Sequence, residues 1–169
     1  MAMMLNGDRL VTISSVSPWN VPQNTALSVA MGWDGGYGSW RTSSLTKFTI
    51  LNLENRSSPE LDKELFLEGS YITAREVNAT VRSVTHAWIY IPGVQNWLEM
   101  PQGYWALDYD DVRKIDIREK VAYQTILANQ EQLAKLSLVD LLPKVYQRVD
   151  GRVTTLSLIH ISEPTRPYW

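Results

Sequence analysis

Residues 79–109, ATVRSVTHAWIYIPGVQNWLEMPQGYWALDY, decide how the rest of the chain is read. The stretch predicts one long strand and its return. Val81, Ala87, Ile89 and Ile91 share one parity, while Val84, His86, Trp88 and Tyr90 share the other. A strand that is apolar on both faces belongs inside a sheet or between two layers. Pro92-Gly93 is a turn signal, 95–100 can run back, and 101–103 turns the chain again into Tyr104–Tyr109.

Before this ribbon, Asn6-Gly7 predicts a tight hairpin between strands near 2–5 and 8–16. Residues 17–24, with two prolines, form a loop. Thr25–Trp33 alternates: Leu27, Val29, Met31 and Trp33 on one side, Ala26, Ser28, Ala30 and Gly32 on the other. That pattern predicts a half-buried strand. The glycine loop 34–39 follows, then a strand within 40–53. Ser58-Pro59-Glu60 has the form of a helix start, with Gly69 closing a helix over about 59–67. The rival reading is a hairpin of Leu65–Leu67 and Tyr71–Thr73 around Glu68-Gly69.

Beyond the ribbon the period changes. Asp110-Asp111 can cap a helix over 118–136, in which Ala122, Ile126, Leu133 and Leu136 recur at helical spacing and Asn129 interrupts. Ser137 and Asp140 predict a second short helix, ended by Pro143. Val145–Val149, Asp150-Gly151 and 152–155 read as a hairpin cut short in its return. The expected fold class is α+β. A mainly antiparallel sheet or sandwich spans about 2–109, followed by one long helix, one short helix and a truncated hairpin.

The chain has 169 residues, 44% hydrophobic and 20% charged, which fits one domain, expected over 1–155. A net charge of −2 with interspersed signs argues against nucleic acid as a partner. No cysteine excludes disulfides, thiolate metal sites and a cysteine nucleophile. No apolar run is long enough to span a membrane, and 1–5 is too short for a signal peptide. A cytoplasmic or virion location is therefore expected. Residues 1–155 carry no motif that names a family. Residues 156–166, LSLIHISEPTR, resemble the one-frame translation of a transposase adapter used in DNA sequencing. That resemblance implies that 156–169 is not native and that the native chain continues past Thr155.

Few residues suggest chemistry. His86 titrates near neutral pH, but it shares its strand face with Trp88 and Tyr90. Asp108 and Asp110 would project to one side of a strand, and with Asp111 they could hold a divalent cation. With Glu99 and His86 they make up the catalytic set if the protein is an enzyme. The alternative is a solvated strand end and a helix cap. The loop 32–38 lacks the lysine of a phosphate loop, and no cofactor is expected. Seven tryptophans against two phenylalanines suggest another use. Trp33, Tyr37, Trp40, Trp97, Tyr104 and Trp105, with Trp19, could stack on sugar rings or anchor a partner.

Two readings of function follow. One is a non-catalytic structural or interaction protein, a homo-oligomer or partner-bound chain such as a phage virion or tail component. The alternative is a carbohydrate-binding module or small carbohydrate-active enzyme, with an aromatic platform beside Asp108 and Asp110.

Overall fold

The computed structural model describes residues 2–32, 41–89 and 91–156. The fold is α+β with a mainly antiparallel sheet and one long helix. Its strands are β1 (Ala2–Asn6), β2 (Arg9–Val16), β3 (Leu45–Asn52), β4 (Glu60–Glu68), β5 (Ser70–Val77), β6 (Thr80–His86), β7 (Val145–Val149) and β8 (Arg152–Leu156). Its helices are α1 (Ala26–Met31), α2 (Arg113–Lys135) and α3 (Leu138–Leu141). The chain divides into two compact units: residues 1–90 with 142–169, and 91–141.

The first unit is built on a six-stranded sheet of order β1-β2-β3-β4-β7-β8. The expected N-terminal hairpin is present, shifted by one residue. Asn6 pairs with Arg9, so Gly7-Asp8 forms the turn, and Gly7 takes φ 57°. The C-terminal hairpin turns at Asp150-Gly151, with φ 47° and 77°, as a type I′ turn requires. β8 pairs along the whole of β7, from Arg152 to Leu156.

Each face of this sheet has its own core. On one, Leu45, Phe66 and Tyr146 pack with Val21 and with Leu27 and Met31 of α1. On the other, Ile13, Phe48 and Ile50 are covered by Tyr71, Ala74 and Val81 of the β5–β6 hairpin. A fully buried apolar side chain contributes roughly 1.5–3 kcal/mol. The first face also buries two acids. β4 alternates Glu64, Phe66 and Glu68 inward, with both carboxylates about 4% exposed. Lys47 of β3 and Arg148 of β7 pair with Glu64, and both cations also stand over the Phe66 ring.

The structure corrects three expectations. Residues 25–33 do not form a strand: 26–31 is α1, held by a Thr25/Ser28 capping box and ended by Gly32 at φ 69°. Residues 59–67 do not form a helix: 60–68 is β4, paired with β3 and β7. The rival hairpin also fails, because β5 pairs with β6. Gly69 separates the two sheets at φ 120°, where an added Cβ would lie 2.7 Å from the His86 carbonyl oxygen.

The ribbon is the third correction. Its strand ends at His86, and β6 belongs to a two-stranded sheet, not to the middle of a large one. Val81, Ser83 and Thr85 are partly buried, while Val84 is exposed. Residues 87–89 have no regular structure, and 91–112 form irregular chain with turns and a short 3₁₀ segment, Tyr104–Ala106. β6 stops at His86 because its partner β5 begins at Ser70, and the prolines and glycines from Pro92 onward turn the chain beyond it.

In the second unit α2 starts five residues earlier than expected, at Arg113. Asn129, which breaks its apolar stripe, has a specific partner. Its carboxamide accepts the Gln95 N–H at 2.9 Å and donates to the Gln95 carbonyl at 2.8 Å. This reciprocal pair ties 91–98 to the helix. Ser137 donates its hydroxyl and its backbone N–H to the Asp140 carboxylate at the start of α3.

Candidate binding groove

The second unit carries the groove that best matches the sequence candidates. Pro101–Gly103 turns the chain with Gly103 at φ 86°, and the Tyr104 N–H bonds to the Pro101 carbonyl at 3.1 Å. The following 3₁₀ turn sends neighbouring side chains to opposite fates. Tyr104 is buried, at 6% exposure, whereas Trp105 is 80% exposed. Their rings meet edge to face, with centroids 5.0 Å apart and planes at 89°. Lys114 Nζ lies 5.5 Å from the Tyr104 ring centroid. Tyr104 therefore braces Trp105 from beneath instead of extending it into a coplanar platform.

Tyr109 is almost fully exposed, in a turn where the Asp111 N–H bonds to the Asp108 carbonyl at 3.1 Å. Trp105, Tyr109, Asp110, Asp111, Lys114 and Arg118 line one open groove of about 910 Å³. Its floor adds Leu98, Met100 and Ile115. The charges that line it are mixed in sign.

Asp111 has a defined electrostatic state. Arg113 grips its carboxylate through the guanidinium and donates its own backbone N–H to Oδ1 at 2.9 Å. The Arg113 hydrogen bonds hold the Asp111 carboxyl down at about 2. Asp111 is thus a permanent hydrogen-bond acceptor at neutral pH.

The other sequence candidates fall elsewhere. Asp108 and Asp110 lie in a turn, so the strand parity expected to aim them together does not apply. Asp108, Glu99 and Trp97 are exposed but do not line the groove. His86 belongs to the first unit, paired with Ser70, its ring edge-on to Trp88 at 5.3 Å. Among the described residues no three His, Cys, Asp or Glu side chains group as metal ligands. Trp33, Tyr37, Trp40 and the tail from 157 lie outside the described residues. Tyr109 was missed because it sat at the assumed end of a strand. The acids on either side of it were the legible signal of an exposed turn.

A family model described as "Beta propeller domain" matches residues 1–168. The chain belongs to that family, which corrects the reading of residues 1–155 as lacking one. Propellers are built from radiating four-stranded sheets. The described residues of this chain place six strands in one sheet and two in another. No curated protein and no solved structure matches the chain. It is a β-sheet-rich domain that exposes aromatic side chains on its surface. No helix among the described residues is long and apolar enough to cross a membrane.

Proposed function

We propose that the chain is a non-catalytic binding domain whose 98–122 groove takes a carbohydrate. The observation that carries this reading is Trp105, which is 80% exposed yet held in place by a buried tyrosine. An exposed indole face supplies the apolar side of a sugar contact, and the flanking acids and bases supply hydrogen bonds to hydroxyls. The ionised Asp111 carboxylate is a hydrogen-bond acceptor for ligand hydroxyls.

Tryptophan emission titrated against a glycan panel tests the proposal. At least one glycan should quench or shift the emission, and Trp105→Ala should remove that response while leaving the circular dichroism unchanged. A silent panel, or a response that survives Trp105→Ala, overturns it.

A self-assembling structural protein, virion-type or otherwise, is the second reading. It is favoured by α2, which buries no residue and exposes Ile115, Tyr123, Ile126 and Leu133. Light scattering at micromolar concentration decides it: an oligomer supports this reading, and a strict monomer removes it.

A further inference from the structure

In the first unit a cavity of about 720 Å³ lies between the six-stranded sheet and the β5–β6 hairpin. Phe48, Leu65, Leu67, Val81 and Val145 make its walls apolar. Its size is that of a small-molecule site. One end differs in character. Arg9 precedes Val11 and Ile13 on one strand face, and Lys63 precedes Leu65 and Leu67 on another. Val11 pairs with Ile50, and Ile50 pairs with Lys63, so the two cations sit at the same end of the sheet. Both line the cavity there, beside Ala79 and Thr80 at the hairpin tip.

The charges at this mouth do not cancel. Neither Arg9 nor Lys63 has an ion-pair partner among the described residues. Glu76 also lines the mouth and accepts the Asn6 carboxamide; its one negative charge against Arg9 and Lys63 leaves a net charge of +1. Arg9 also borders a neighbouring cleft lined by Asp8, Glu54, Glu60, Asp62 and Asp150, which leaves Lys63 as the cation dedicated to the cavity.

We infer that this cavity binds an alkyl carboxylate, its chain along the partly exposed Leu65, Leu67 and Val81 and its head group between Lys63 and Arg9. An apolar tail gains by leaving water, and a carboxylate balances the one positive charge that Glu76 leaves over. An alkyl amine would meet like charge in the same place. The site is separate from the groove around Trp105 and does not rest on the carbohydrate reading.

The test uses the whole chain and a dansyl-labelled fatty acid as probe. Fluorescence should rise saturably and be reversed by laurate, whereas dodecanol and dodecylamine should compete at least about ten-fold more weakly, the worth of one charged hydrogen bond. Lys63→Glu with Arg9→Glu should weaken the probe by a similar factor or more. No saturable binding, equal competition by the amine, or unchanged affinity in the folded double variant each overturns the inference. If the double variant does not fold, the three-ligand comparison on the parent chain decides alone.

Discussion

The Tyr146 hydroxyl donates to Glu68 Oε1 at 2.7 Å, both side chains lying out of water where β4 meets β7. The same carboxylate accepts the Lys144 N–H at 2.9 Å and pairs with Arg41 Nε at 3.2 Å. Arg41 in turn donates to the Leu142 carbonyl. One buried acid therefore joins three separate stretches of chain.

Removing that hydroxyl should cost stability without altering shape. Tyr146→Phe is expected to lose roughly 1.5–3 kcal/mol, the range for a hydrogen bond to a charged group. The urea midpoint reads it. Burial, and then the Glu68 charge, push the Tyr146 phenol well above its ordinary range. A raised pKa gives stability that is complete below the unfolded value, near pH 10, and lost as pH rises towards the folded one. Tyr146→Phe should therefore flatten the alkaline loss of stability.

Glu64 predicts the opposite end of the pH scale. Burial raises its pKa, but hydrogen bonds and charge from Lys47 and Arg148 outweigh burial and leave it lowered. Its contribution is present above the ordinary glutamate range and is lost as pH falls through the depressed folded value. Glu64→Gln should cost about 1–3 kcal/mol at neutral pH, less than a fully buried pair because both cations reach solvent. The gap between variant and parent should close in acid. Urea midpoints from neutral pH down into the acid range measure it.

Gly69 admits no side chain. A methyl group there would meet backbone, the His86 carbonyl, and not a side chain that can swing away. Its own carbonyl accepts the buried Thr46 hydroxyl at 2.9 Å, which further fixes the position. Gly69→Ala should destabilise the protein by about 2–4 kcal/mol, through combined strain and overlap. A drop in melting temperature checks this.

Ala79 offers the reverse. It occupies the second position of the β5–β6 turn at φ 61°, after Asn78 at φ 51°. A left-handed alanine costs roughly 1–2 kcal/mol, and glycine returns part of the gain as chain entropy. Ala79→Gly completes the Asn-Gly turn and should stabilise by about 0.5–1 kcal/mol. The urea midpoint should rise with an unchanged slope.

The hairpins at both ends of the first unit and the helices after residue 112 were legible because turn chemistry and periodicity agree there. The segment 26–31 was ambiguous by pattern, since Leu27 and Met31 satisfy both a period of two and a spacing of four. Val29, 71% exposed, settles it for the helix, and the Thr25/Ser28 box was the available sign. β4 was hidden for another reason. Ser58-Pro59-Glu60 imitates a helix start, and only the pairing with β3 and β7 brings Lys47 and Arg148 beside Glu64.

The groove was half legible. Trp105 and the acids at 110–111 were visible as types, but the strand assumed for them carried the wrong geometry. A buried Tyr104 beneath an exposed Trp105 depends on a 3₁₀ turn that no alternation pattern encodes.

During synthesis the ribosome releases β4 long before β7, and the whole second unit emerges in between. Until β7 arrives, Glu64 has Lys47 but lacks Arg148, and Glu68 has Arg41 but lacks Tyr146. The β4–β7 seam is therefore the long-range step in assembling this sheet.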